Sequence, residues 1–102
     1  MPNSNDARNN EKYRVLLTNE ALATLRKLDK PARERVKKKL EALATLRPAR
    51  TLKKHGDVWV LEIGDYRAFY LIDDNAKTRT VFFIGDHKEY EKRYFLMFKS
   101  GK

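Results

Sequence analysis

Arg67 directly follows Gly64-Asp65-Tyr66, and His87, Lys88, Tyr90, Arg93 and Tyr94 crowd into one short stretch further on. These residue types suit phosphate chemistry. A guanidinium on a strand either pairs with a carboxylate, here Asp65, Asp73 or Glu62, or holds a bidentate anion such as phosphate. His87, beside Asp86, is the imidazole near this cluster and has the right chemistry to move protons near neutral pH. A lone His after a turn is by default a surface residue. A tyrosine can donate a phenolic proton or stack on a base, and a lysine can neutralise a phosphorane oxygen. Tyr94 and Phe95 read equally well as core packing.

Taken together the set has a logic. Metal-free RNA cleavage needs the 2′-OH deprotonated, the 5′-oxygen protonated and the phosphorane charge stabilised. Cations and a proton donor on one surface can do this. The sequence has no glycine-rich phosphate loop, no paired-carboxylate motif and no metal-ligand spacing. It has no cysteine, and its only histidines are His55 and His87. That excludes a disulfide scaffold, a thiol nucleophile and an all-histidine zinc site. No cofactor or metal is expected.

The elements that must position these residues fit in one domain of 102 residues. Hydrophobic residues make up 41% of the chain, a globular proportion. No apolar run approaches membrane-spanning length, and Met1 to Lys12 has no signal-like core. A cytoplasmic location is expected. The formal charge is +9, and residues 30–54 alone, with ten basic and two acidic side chains, carry +8 of it. Such a field draws polyanions, of which nucleic acid is the commonest; a solvated helix face and a dock for an acidic protein remain alternatives.

Residues 1–11 are polar and aperiodic and read as a disordered arm. Tyr13 to Thr18 alternates as a short strand. Thr18 or Asn19 caps a helix carrying Leu22, Leu25 and Leu28. Pro31 opens a second helix whose buried stripe is Ala32, Val36, Leu40 and Leu43, with Lys37, Lys38 and Lys39 outward; Pro48 closes it. Three strands follow: Val58 to Ile63, Tyr66 to Asp73 and Arg79 to Ile84. Gly64-Asp65 and Asp74 to Lys77 make the turns between them. A short helix or turn occupies the first half of His87 to Phe98. The expected fold is α+β, β-α-α-β-β-β, with an antiparallel sheet. The helix hairpin covers one face and leaves the other open.

The chain resembles the RelE/ParE superfamily of toxin–antitoxin toxins over about residues 12–95, with 96–102 as a tail. The resemblance rests on Trp59 to Tyr70, including Gly64-Asp65-Tyr66-Arg67, on Val81 to Lys88, and on the Leu52-Lys53-Lys54 step. It implies a small toxin that cleaves mRNA at the ribosome without a metal and is neutralised by an antitoxin. On this resemblance the catalytic set is Arg67, His87, Tyr94 and Lys53, with Tyr90 as the alternative terminal tyrosine. Lys37, Lys38, Lys39, Lys54 and Lys88 would bind RNA, and the tail Tyr94 to Phe98 is a candidate antitoxin contact. Many RelE-like members carry Arg or Lys where this chain has Val60 and Glu62. Lys53, Lys54 or His55 could replace them, or Glu62 could act as a base. The ParE branch, which inhibits DNA gyrase on the same fold, is the competing reading. The short helix hairpin and His87 favour RelE.

Overall fold

The computed structural model describes residues 12–45, 53–55 and 57–98. The expected N-terminal arm, Pro48, Arg47, Arg50 and Leu52 lie outside the described residues.

Strand β1 (Arg14–Leu17) leads into α1 (Asn19–Lys27). Thr18 is extended, and its hydroxyl accepts from the Ala21 N–H at 3.2 Å, so it is the N-cap. Glu20 in the first turn and Arg26 and Lys27 in the last complement the helix dipole. Helix α2 (Lys30–Ala42) begins with Pro31, where a missing N–H costs nothing. It ends at Ala42, earlier than a stop at Pro48 would have it. Ala32, Val36, Leu40 and Leu43 are all buried, as the stripe predicts.

The sheet also contains β2 (Lys53–His55), β3 (Val58–Ile63), β4 (Tyr66–Asp73) and β5 (Thr78–Asp86), in the order β1-β5-β4-β3-β2. The β3-β4-β5 meander is antiparallel, as expected. Strand β1 pairs with β5 in parallel, so the sheet is mixed. Alternation identifies a strand but carries no signal for its direction, which here is set by the helical connection that follows β1. Strand β2 was not foreseen: three residues reading Lys-Lys-His show no pattern, yet a short Lys-rich strand suits a sheet edge.

Gly64 has a φ of +60°, a conformation that favours glycine, and Ile63 pairs with Tyr66 across the turn. At the next turn Asp73 Oδ1 accepts from the N–H groups of Asn75 and Ala76.

Two apolar clusters sandwich the sheet. On the helix-hairpin side, Ala21, Leu25, Val36, Leu40 and Leu43 pack with Leu61, Ile63, Ala68, Tyr70, Val81 and Ile84. On the other side, Val60, Phe69, Phe83 and Tyr90 form a smaller aromatic cluster, joined by Val58, Phe82 and Tyr94. A register shift opposite Phe69/Tyr70 lets both Phe82 and Phe83 join it.

This second face is therefore not left open. Helix α3 (His87–Phe98) lies on it and runs twelve residues, longer than the short helix expected. No Gly or Pro interrupts it, and Tyr90 and Tyr94, four apart, supply its buried stripe. Phe95 and Leu96 on the same helix are exposed.

Candidate functional site

Strand β5 passes into α3 without a linker. Asp86 and Glu89 form a reciprocal capping box: Glu89 N–H donates to Asp86 Oδ1, and Asp86 N–H donates to Glu89 Oε1, both at 2.9 Å. Gly85 allows this close approach. A Cβ there would lie 2.5 Å from Phe83 Cζ and 2.8 Å from Glu89 Cβ. Gly85 stands opposite Arg67 in the sheet, so the first residue of the helix, His87, arrives beside Arg67.

The Arg67 guanidinium is the centre of the site. Its Nη2 lies 3.2 Å from Glu62 Oε2, and its Nη1 lies 3.3 Å from His87 Nδ1. The Tyr90 ring sits against the guanidinium, 4.8 Å from Cζ to the centroid. Arg67 Nε is buried and has no hydrogen-bond partner among the described residues. His87 Nε2 is 2.9 Å from Glu91 Oε2, one helical turn on. Arginine only donates, so Nδ1 accepts from Arg67 and the ring proton sits on Nε2, donated to Glu91. Glu91 thus fixes the ring and leaves a lone pair aimed at the guanidinium.

Burial pushes the Tyr90 phenol above the ordinary tyrosine value, against the opposing pull of Arg67. Its ring serves as a neutral platform at physiological pH. Gly64, Asp65, Arg67, Asp86, His87 and Lys88 line an open cleft of about 530 Å³. Among the described residues, no group of three or more His, Cys, Asp or Glu side chains could hold a metal ion.

The structure thus brings Arg67 and His87 into contact and sets Lys88 on the cleft wall. Tyr90 is the ring beneath Arg67, and Tyr94 packs against Tyr90 with its ring tilted, 5.9 Å between centroids. Lys53 stands opposite Val60 and Lys54 opposite Trp59, and their side chains lie outside what is described. Lys37, Lys38 and Lys39 are exposed on α2, which packs on the sheet face opposite to Arg67. The basic helix and the cleft are therefore not one surface. Arg35 on α2 reaches the Gly64 turn, its Cδ and Nη1 3.6 Å from where a Gly64 Cβ would stand.

Sequence reasoning named the Glu62 bridge only as one structural alternative among three, and gave Glu91 no role. Both had a signal. A two-residue turn at 64–65 pairs 63 with 66 and hence 62 with 67, and Glu91 is four residues from His87 on a helix.

A family model described as "ParE toxin of type II toxin-antitoxin system, parDE" matches residues 15–90. The chain belongs to this family, within the RelE/ParE superfamily of toxins. Solved structures similar to it include RelE toxins. The isolated E. coli RelE toxin superposes with a TM-score of 0.61 at 26% identity, covering 79% of this chain and 97% of that one. The toxin of the intact E. coli RelBE toxin–antitoxin complex gives a TM-score of 0.60 at 27% identity, covering 72% and 95%. The Mycobacterium tuberculosis RelBE2 toxin–antitoxin complex shares the fold, with a TM-score of 0.64 at 24% identity over 74% and 92%. No curated protein matches the sequence significantly. The α+β RelE-like fold expected from the sequence is the observed one. No helix among the described residues is long and apolar enough to cross a membrane.

Proposed function

We propose that this toxin is a metal-independent endoribonuclease that cuts mRNA on the ribosome and so stops translation in the cytoplasm. The observation that carries the reading is the Arg67–His87 contact on the wall of an open cleft. Arg67 stands on a rigid strand and takes two phosphate oxygens through its planar fork. His87, oriented by Glu91, moves a proton. Lys88 adds positive charge at the cleft wall. Lys37, Lys38 and Lys39, on the far face, hold RNA backbone and position the toxin rather than reading bases. The partner that restrains it is an antitoxin, as in the RelBE complexes of the same fold. The exposed Phe95 and Leu96 on α3 offer that partner an apolar contact.

Mapping transcript 5′ ends after induction tests the reading. Cuts within translated mRNA are expected. Changing Lys37, Lys38 and Lys39 together to Ala should weaken ribosome binding and flatten its salt dependence. The match to the ParE family model favours a second reading, inhibition of DNA gyrase. Intact transcripts with accumulating gyrase–DNA cleavage complexes would establish it in place of the first.

A further inference from the structure

We propose that Arg35 binds a phosphate of the RNA backbone next to the scissile one, so that the strand leaves the cleft over the Gly64-Asp65 turn toward α2. This rests on the ribonuclease reading. The charge of the cleft calls for such a group. Its lining sets Arg67 and Lys88 against Asp65 and Asp86, two cations against two carboxylates. Arg67 is in addition paired with Glu62. The lining can hold one phosphate through the Arg67 fork, but it offers a polyanion no surplus of positive charge on either side of that phosphate.

Arg35 supplies the missing charge at the rim. It stands on α2, on the closed side of the sheet, yet its Cδ and Nη1 lie 3.6 Å from where a Gly64 Cβ would stand. The side chain therefore reaches the turn that edges the cleft. Gly64, favoured there by its φ of +60°, puts no side chain of its own in the way. Arg35 is exposed, and among the described residues no carboxylate forms an ion pair with it. An arginine laid against a turn with its charge unneutralised keeps its donors for a ligand.

The two carboxylates of the lining differ in their effect on a passing strand. Asp86 accepts the Glu89 N–H at the start of α3, where the helix dipole offsets its charge. Asp65 is exposed on the turn itself, so it repels a phosphate on its own side and favours passage past Gly64 and Arg35. Lys38 and Lys39, three and four residues beyond Arg35 and both exposed, continue the line of cations along α2. The ligand of Arg35 is thus a backbone phosphodiester, held through charge and two oxygens. Such a contact positions the RNA and reads no base.

Single-turnover cleavage on programmed ribosomes, with the toxin titrated over the ribosomes, tests this. The mRNA carries one uncharged methylphosphonate at a time, at each phosphate flanking the cut. Arg35→Met keeps an unbranched stem against Gly64 and removes the charge. Its effect should fall on the half-saturating toxin concentration, raised about tenfold, rather than on the rate at saturation. The salt slope of binding should flatten by about 0.7, the value for one phosphate on a single strand. In the wild type, one flanking methylphosphonate should weaken binding by a similar factor. In Arg35→Met the same methylphosphonate should cost nothing further, because its partner is already gone. Arg35→Lys should keep part of the affinity, since it retains the charge without the fork. Circular dichroism on the same samples checks folding.

Three results would overturn the assignment: Arg35→Met binding as tightly as the wild type, losing rate at saturation with its affinity intact, or combining with every methylphosphonate in independent, multiplicative losses. The last would put Arg35 on ribosomal RNA or in the fold alone. A wild type that cuts while this coupling is absent removes only the Arg35 site. A wild type that leaves unmodified mRNA intact removes the ribonuclease reading, and this site with it.

Discussion

The two faces of the sheet are built from alternate residues of the same strands, yet they do different work. The face under α1 and α2 is mostly aliphatic and closed, with Val36, Leu43, Ile63, Ala68 and Tyr70 fully buried. The face under α3 is aromatic, and it gives way at one end to Glu62, Arg67 and His87. Two helices cover the first face. One helix covers the second, and its first turn supplies the imidazole. Stability and chemistry are therefore divided unevenly between the faces: in β4, Ala68 and Tyr70 are buried on the closed face, while Arg67 shares its face with the buried Phe69.

The sharpest way to break this division is to cut into the closed face. Ile63 is wholly buried in the aliphatic cluster and does not line the cleft. Ile63→Ala should cost about 2–5 kcal/mol of stability through lost transfer energy and a cavity. Urea denaturation measures it, and remaining activity should track the folded fraction. Activity falling well below that fraction would show that the faces are coupled.

Its counterpart on the other face is Arg67→Ala. Removing one preorganised donor is typically worth about 10²–10³ in rate. The side chain is partly exposed, so its bridge to Glu62 contributes at most about 1 kcal/mol to stability. The protein should stay folded by circular dichroism and fail to cut. Lysine should rescue little, because it lacks the fork. A folded Arg67→Ala protein with the wild-type rate would dismiss the site.

The separation also explains what the sequence made legible. The stripe Ala32, Val36, Leu40 and Leu43 and the Gly64-Asp65 turn are local patterns with a single physical meaning, and each stands where periodicity puts it. Arg67 alternates with Ala68 and shares parity with Phe69 along β4, so strand alternation alone places it on the aromatic face. The direction of β1 did not, because it depends on a non-local pairing with β5. Helix α3 was undervalued because charges and aromatics alternate along it. Its burial is decided by Phe69 and Phe83, which reach it only in the folded sheet. The choice of Tyr90 over Tyr94 beneath Arg67 turns on where the helix begins, and thus on the Asp86–Glu89 cap.

That cap offers a way to perturb both properties together. Gly85→Ala puts a methyl group against Phe83 and Glu89. Overpacking of this kind costs about 1–3 kcal/mol. Because the strain falls where α3 leaves β5, His87 should shift relative to Arg67. Cleavage should therefore drop by more than the folded fraction explains, in contrast to Ile63→Ala. Equal losses in rate and folded fraction would mean that the junction only supports the fold.

The smallest expected effect concerns Tyr90, which belongs to both regions: its ring is in the aromatic cluster and beneath Arg67. Burial raises its pKa above the ordinary value of 10.0, so the folded protein holds the phenol proton more tightly than the unfolded chain. Below the unfolded value both states are protonated, and the stabilisation is fully present. As pH rises through the unfolded value toward the higher folded one, the unfolded state ionises first and the stabilisation is lost. Within that alkaline window the slope is at most about 1.4 kcal/mol per pH unit. Tyr90→Phe removes this component while the other tyrosines remain in both proteins, so the difference between the two stability curves isolates it. The variant should lose less stability than the wild type above pH 10 and match its pH dependence at neutrality. The cleavage rate at neutral pH should change little, because the phenyl ring still supports Arg67. A large rate loss would instead give the hydroxyl a part in proton transfer, and parallel curves above pH 10 would mean that burial does not hold the phenol neutral.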